Sequence, residues 1–151
     1  MRIINGIDEL KTAVGEHLGY SDWVEVTQER VNQFADATGD HQWIHVDIAR
    51  ATEEGPFGGT IAHGYLTLSL LPTLVSQVFR IDGLKMIVNY GTNKVRFPSP
   101  VPVGSRVRAG VEILSVETKG ESTQLISRIT IGREGSDKPA CVAETVAVAF
   151  I

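Results

Sequence analysis

Cysteine is nearly absent: Cys141 is the one thiol in 151 residues. No internal disulfide can form, so stability must come from a packed core. A lone thiol fits a reducing compartment, and the apolar, β-branched run around Cys141 predicts a packing role rather than a nucleophile. Positive charge is also short, with 14 Lys and Arg against 18 Asp and Glu for a net charge of −4. No basic run concentrates it. Nucleic acid is excluded as a main partner, since phosphate recognition needs a dense positive face. Long apolar runs are missing too. The longest, Tyr65 to Phe79, contains Pro72 and falls short of the roughly 20 residues that span a bilayer. The opening "MRIINGIDELK" lacks the apolar run of a signal peptide. There is no internal repeat and no low-complexity tract. What is present suffices for one core: 42% of residues are hydrophobic. The expectation is one domain over residues 1–151 in a soluble, cytoplasmic protein.

The chain divides into a helical, loop-rich first half and a strand-rich second half. Ile7, Leu10, Val14 and Leu18 follow helical spacing. "WVEV" (Trp23 to Val26) reads as a short strand. Thr27 can cap a second helix that carries Val31, Phe34, Ala35 and Thr38 on one face. Gly39 can end it in the left-handed conformation. Asp47 can cap a third helix, "IARATEE", which Gly55-Pro56 stops. After the glycine-rich "GPFGGTIAHG", the run "GYLTLSLLPTLVSQVF" is apolar on nearly every side, which predicts a helix buried all round and kinked at Pro72. From Leu84 onward the period changes to two. "MIVNYGTNKVRF", "SRVRAGVEILSVETK", "STQLISRITIGR" and "CVAETVAVAFI" are strand candidates, and the short links between them predict antiparallel pairing. The fold class expected is α+β, a sheet curled around one apolar helix.

The chemistry concentrates in "ATGDHQWIHVD" (Ala37 to Asp47), which holds two carboxylates and two imidazoles in eleven residues. Asp40 follows a helix C-terminus, where the dipole disfavours negative charge and so favours a carboxylate that acts as a base. His45 lies across a short loop, so both side chains can converge on one water as a general acid–base pair. Set against this is a local reading, with Asp40 capping a turn and His45 a satisfied loop histidine. A metal reading would use Asp40, His41, His45 and Asp47, but their spacing matches no zinc signature. At His63-Gly64, the Gly64 N–H would open the apolar helix without an intrahelical partner and can polarise a carbonyl. His63 itself reads as a polar residue packed near the helix start. Lys94 and Arg96 share one strand face, opposite Val95 and Phe97.

These residues resemble a known family. "FADATGDHQWIH" (Phe34 to His45) resembles the hydratase-2 motif of MaoC-like, R-specific enoyl-CoA hydratases. Thr38-Gly39-Asp40 and Ile44-His45 match the motif, and Ala51 falls where it expects a small residue. "IAHGYL" (Ile61 to Leu66) resembles the family's entry to its central helix, and "VRFPSPVPVGSRVR" (Val95 to Arg108) its strand pair after that helix. The resemblance runs from about Thr27 onward and departs at Gln42-Trp43, where the family carries Asn-Pro.

It implies a hot-dog fold, an antiparallel sheet wrapped around a long central helix. It implies Asp40 and His45 as the catalytic pair, Gly64 as the oxyanion donor, and a homodimer. The activity implied is reversible hydration of trans-2-enoyl-CoA to (3R)-hydroxyacyl-CoA in fatty acid metabolism. Coenzyme A then comes as part of the substrate, with Lys94 and Arg96 candidates for its phosphates, and neither a metal nor another cofactor is expected. A hot-dog acyl-CoA thioesterase and a non-catalytic acyl-thioester-binding subunit are the rival readings.

Overall fold

A computed structural model describes residues 1–151. In chain order come β1 (Arg2–Asn5), α1 (Gly6–Thr12), β2 (His17–Tyr20), β3 (Val24–Glu25), α2 (Gln28–Thr38), α3 (Trp43–Val46), α4 (Ile48–Glu54), α5 (Gly64–Ser69), α6 (Leu71–Val78), β4 (Phe79–Asp82), β5 (Met86–Arg96), β6 (Arg106–Lys119), β7 (Ser122–Arg133) and β8 (Cys141–Phe150). The main sheet has six strands, all antiparallel, in the order β2-β6-β7-β8-β5, with β3 also on β6. A parallel pair, β1 and β4, stands apart.

Alternation along the strands decides which face is covered. On β6, Val107, Ala109, Val111 and Ile113 have no exposed surface. Ile129 and Ile131 of β7 and Cys141 and Ala143 of β8 face the same way. Onto them pack Leu66 of α5, Leu71 and Leu74 of α6, and Leu70 between the two helices. A second cluster joins Ile4, Ile7 and Leu10 to Val78, Phe79, Val111 and Ile113. The result is α+β, a hot-dog fold: an antiparallel sheet around a central helix. Cys141 is buried as expected, and burial pushes its thiol up to about 11. No helix is long and apolar enough to cross a membrane.

The structure corrects several expectations. The central helix is not buried all round. Tyr65, Ser69, Pro72, Thr73 and Ser76 form an exposed stripe along it. The break expected at Pro72 is present: the helix is interrupted at Leu70, two residues earlier, and the Pro72 ring nitrogen has no hydrogen for the Leu68 carbonyl. α1 ends at Thr12; Val14 is exposed and Leu18 belongs to β2. The segment around Trp43, read as loop, makes one helical turn. β5 neighbours β8 rather than β6, the next strand in sequence. The proline-rich Pro98–Gly104 segment therefore carries the chain across to the other side of the sheet.

Leu74 is fully buried at the centre of the first cluster. Leu74→Ala should lower stability by about 2–5 kcal/mol, through lost burial plus the cavity left behind. Urea denaturation checks this; a change under 1 kcal/mol would mean that the helix relaxes into the gap.

Candidate active site

α2 delivers Asp40. Thr27 caps this helix, its Oγ1 accepting from the Arg30 N–H at 3.1 Å, and Gly39 ends it at φ 81°, a left-handed turn that glycine takes without a Cβ clash. Asp40 is exposed, and its Oδ1 accepts from the Gln42 N–H at 3.3 Å. The chain then turns through α3 and brings back His45, which is only 6% exposed.

The loop lacks proline, yet it is held at several points. The Ile61 N–H donates to the Ile44 carbonyl at 3.1 Å, and the Ile61 carbonyl accepts from His45 Nδ1 at 2.7 Å. Gln28 of α2 donates its side-chain amide to the His45 carbonyl at 2.7 Å and accepts from Thr60 Oγ1 at 2.6 Å. Trp43 lies under the Arg50 guanidinium, 4.3 Å from ring to cation. Packing and long-range hydrogen bonds thus do what a proline would do locally.

The Ile61 bond sets the tautomer. Nδ1 carries the hydrogen, which leaves Nε2 with a free lone pair. Burial is the main cause that lowers the pKa of His45 below its ordinary value, and the neighbouring His63 adds to this; the Ile61 carbonyl and Asp40 act the other way. The net direction favours neutral imidazole near neutral pH.

Asp40, His45 and His63 come together, with one carboxylate oxygen or ring nitrogen from each within 4.8 Å of the others. His41 and Asp47, the other two members of the metal reading, are not among them. The His41 Nε2 lies 2.9 Å from Asp36 Oδ1, a bond that raises the histidine's pKa. Asp47 caps α4 through the Arg50 N–H at 3.0 Å. Gly64 is the first residue of α5, directly after His63, and a Cβ there would stand 3.1 Å from the Phe97 ring. Lys94 and Arg96 turn to the opposite side of β5 from Val95, which packs on the core, and sit with Arg128 and Glu144. The structure does not gather them with Asp40, His45 and Gly64.

His63 and Gln28 were missed as members of the site. In "IAHGYL" His63 directly precedes Gly64, and that place is the signal for it. Gln28 gave no local signal.

Residues 9–131 match the MaoC like domain, most of the chain. The chain belongs to the MaoC-like domain family. It is 58% identical to 3-hydroxyacyl-thioester dehydratase Z of Mycobacterium tuberculosis, with 97% of each chain covered. The (R)-hydratase from A. caviae involved in PHA biosynthesis is 28% identical, with a TM-score of 0.69 over 89% of this chain and 94% of that one. A monoamine oxidase regulatory protein from Archaeoglobus superposes with a TM-score of 0.80 at 21% identity, covering 99% of this chain and 96% of that one. This last likeness concerns the fold alone.

Proposed function

We propose that this MaoC-like protein hydrates trans-2-enoyl-CoA reversibly to (3R)-hydroxyacyl-CoA, within fatty acid metabolism. One observation carries the reading: a carboxylate oxygen of Asp40 and a ring nitrogen of His45 lie within 4.8 Å of each other, and the bond from Nδ1 to the Ile61 carbonyl leaves Nε2 of that ring as the acceptor. A water has two hydrogens, and the site offers two acceptors. With one hydrogen on Asp40 and the other on His45 Nε2, the water presents a lone pair to C3. The C3–O bond forms as one O–H bond breaks, and the pair passes that proton on to C2. The dyad ends as it began. The Gly64 N–H stabilises the thioester enolate that forms in between. These groups suffice for the chemistry, so the proposal includes no metal and no resident cofactor. Lys94 and Arg96, with Arg128 beside them, are the candidates for the coenzyme A phosphates. The name of the M. tuberculosis relative supports the reaction type, and that of the A. caviae relative supports the R configuration.

Crotonyl-CoA tests this. Loss of enoyl absorbance without free thiol is expected, with a product that resists an S-specific 3-hydroxyacyl-CoA dehydrogenase. Release of thiol would instead mean a thioesterase, and no reaction a binding subunit. Oxidation of the product by that dehydrogenase would overturn the R assignment.

The proposal includes a homodimer. β5 ends the sheet and pairs only with β8. Its edge carries Met86, Ile87, Val88 and Tyr90, all at least 46% exposed in the single chain. A long apolar edge is a liability unless paired. Light scattering should give a dimer mass at micromolar concentration, and Tyr90→Asp should shift it toward monomer. A monomer mass for the unmodified protein would sink this part.

A further inference from the structure

The three groups that hydration needs lie apart in the chain, and His63 reaches all of them. It precedes Gly64 as the capping residue of α5. Its Nε2–H donates to the Asp40 carbonyl oxygen at 2.9 Å. Its ring stacks on His45, with centroids 3.9 Å apart and planes at 24°. Phe34 of α2 packs on it as well, at 4.9 Å between centroids. The ring is 2% exposed, and its Nδ1 has no hydrogen-bond partner in the protein. An unsatisfied buried nitrogen lowers stability, so packing alone would be better served by an apolar side chain.

We propose that His63 is a positioning residue, which clamps the Asp40 backbone and the His45 ring into one frame next to the Gly64 amide. The role rests on the hydratase reading above. The clamp matters because the Asp40 loop has no proline and the carboxylate itself holds only the Gln42 N–H. His63 also acts on the charge of His45. The titratable groups that face His45 are Asp40, from the loop after α2, and His63. α2 presents the neutral Gln28 amide, and the segment before α5 the Ile61 carbonyl. Of the two titratable neighbours, His63 disfavours the imidazolium and Asp40 favours it.

Two variants separate the effects. His63→Phe keeps a ring and loses the N–H; His63→Gln keeps an N–H donor at similar reach and loses the ring. With crotonyl-CoA, His63→Phe should lower kcat by roughly 10–100-fold with little change in KM, the scale of loss when reacting groups are misplaced. His63→Gln should keep more of kcat. In both, the pKa of His45 should rise, seen as an upward move of the acidic limb of kcat/KM and directly by NMR titration of the His45 ring. A residue that merely fills space would move the melting temperature and leave that titration in place. Native kcat in His63→Phe, or an unmoved His45 titration in His63→Gln, would overturn the role. If His63→Phe does not fold, the His63→Gln titration decides alone. If the unmodified protein leaves crotonyl-CoA unchanged, the hydratase reading fails, while the NMR titration still tests the contact of His63 with His45.

Discussion

Asp40→Asn should lower kcat for crotonyl-CoA hydration by about 10²–10⁴-fold, the usual contribution of a general acid–base group. The substitution keeps the shape of the side chain. It also keeps the oxygen that accepts from the Gln42 N–H at 3.3 Å. Asp40 is exposed and supports no core contact, so the fold should survive. What is lost is the ability to take a proton, because an amide nitrogen offers hydrogens where the water needs an acceptor. Steady-state kinetics on protein with an unchanged melting curve makes the measurement. Turnover near the native level would remove Asp40 from the role of base.

His45→Ala should cause a loss of similar size. The informative result is the double variant. On the proposed mechanism both side chains act on one water, so removing the second should cost little once the first is gone. Losses that multiply in full would mean that the two act in separate steps. The pH profile of the unmodified enzyme tests the same residue. On the proposed mechanism His45 works only while Nε2 is bare, so activity should fall as pH drops through its pKa. Burial holds that pKa below the ordinary 6.5. The acidic limb of kcat/KM should therefore lie below that value. A limb above it would mean that burial does not govern the titration of His45.

Much of this was legible in the residues. From Met86 onward, alternation places the strands to within a residue or two, because it needs only neighbours along the chain; β1, β2 and β4 carry no such signal and fall in segments that read as helix or as unassigned. The caps at Thr27, Gly39 and Asp47 stand where expected, since each bond closes within four residues. The central helix illustrates the limit. Its apolar composition predicted burial on every side, but Tyr65, Ser69, Pro72, Thr73 and Ser76 face outward in the single chain. Composition cannot tell a helix wrapped by its own sheet from one covered on a single side.

Spacing and propensity over a few residues suffice for the fold class, the β-strands of the second half and the closeness of Asp40 and His45 in the chain, but not for the helical turn of α3, which carries His45. Only the tertiary structure decided what surrounds that pair. Ile61 reaches His45 across 16 residues, His63 reaches Asp40 across 23, and Gln28 reaches Thr60 across 32. The place of β5 beside β8 is of the same kind. Such contacts depend on the path of the whole chain around its core. No local pattern encodes which distant carbonyl will meet a given imidazole, yet that meeting sets the tautomer of His45 and the frame in which Asp40 stands.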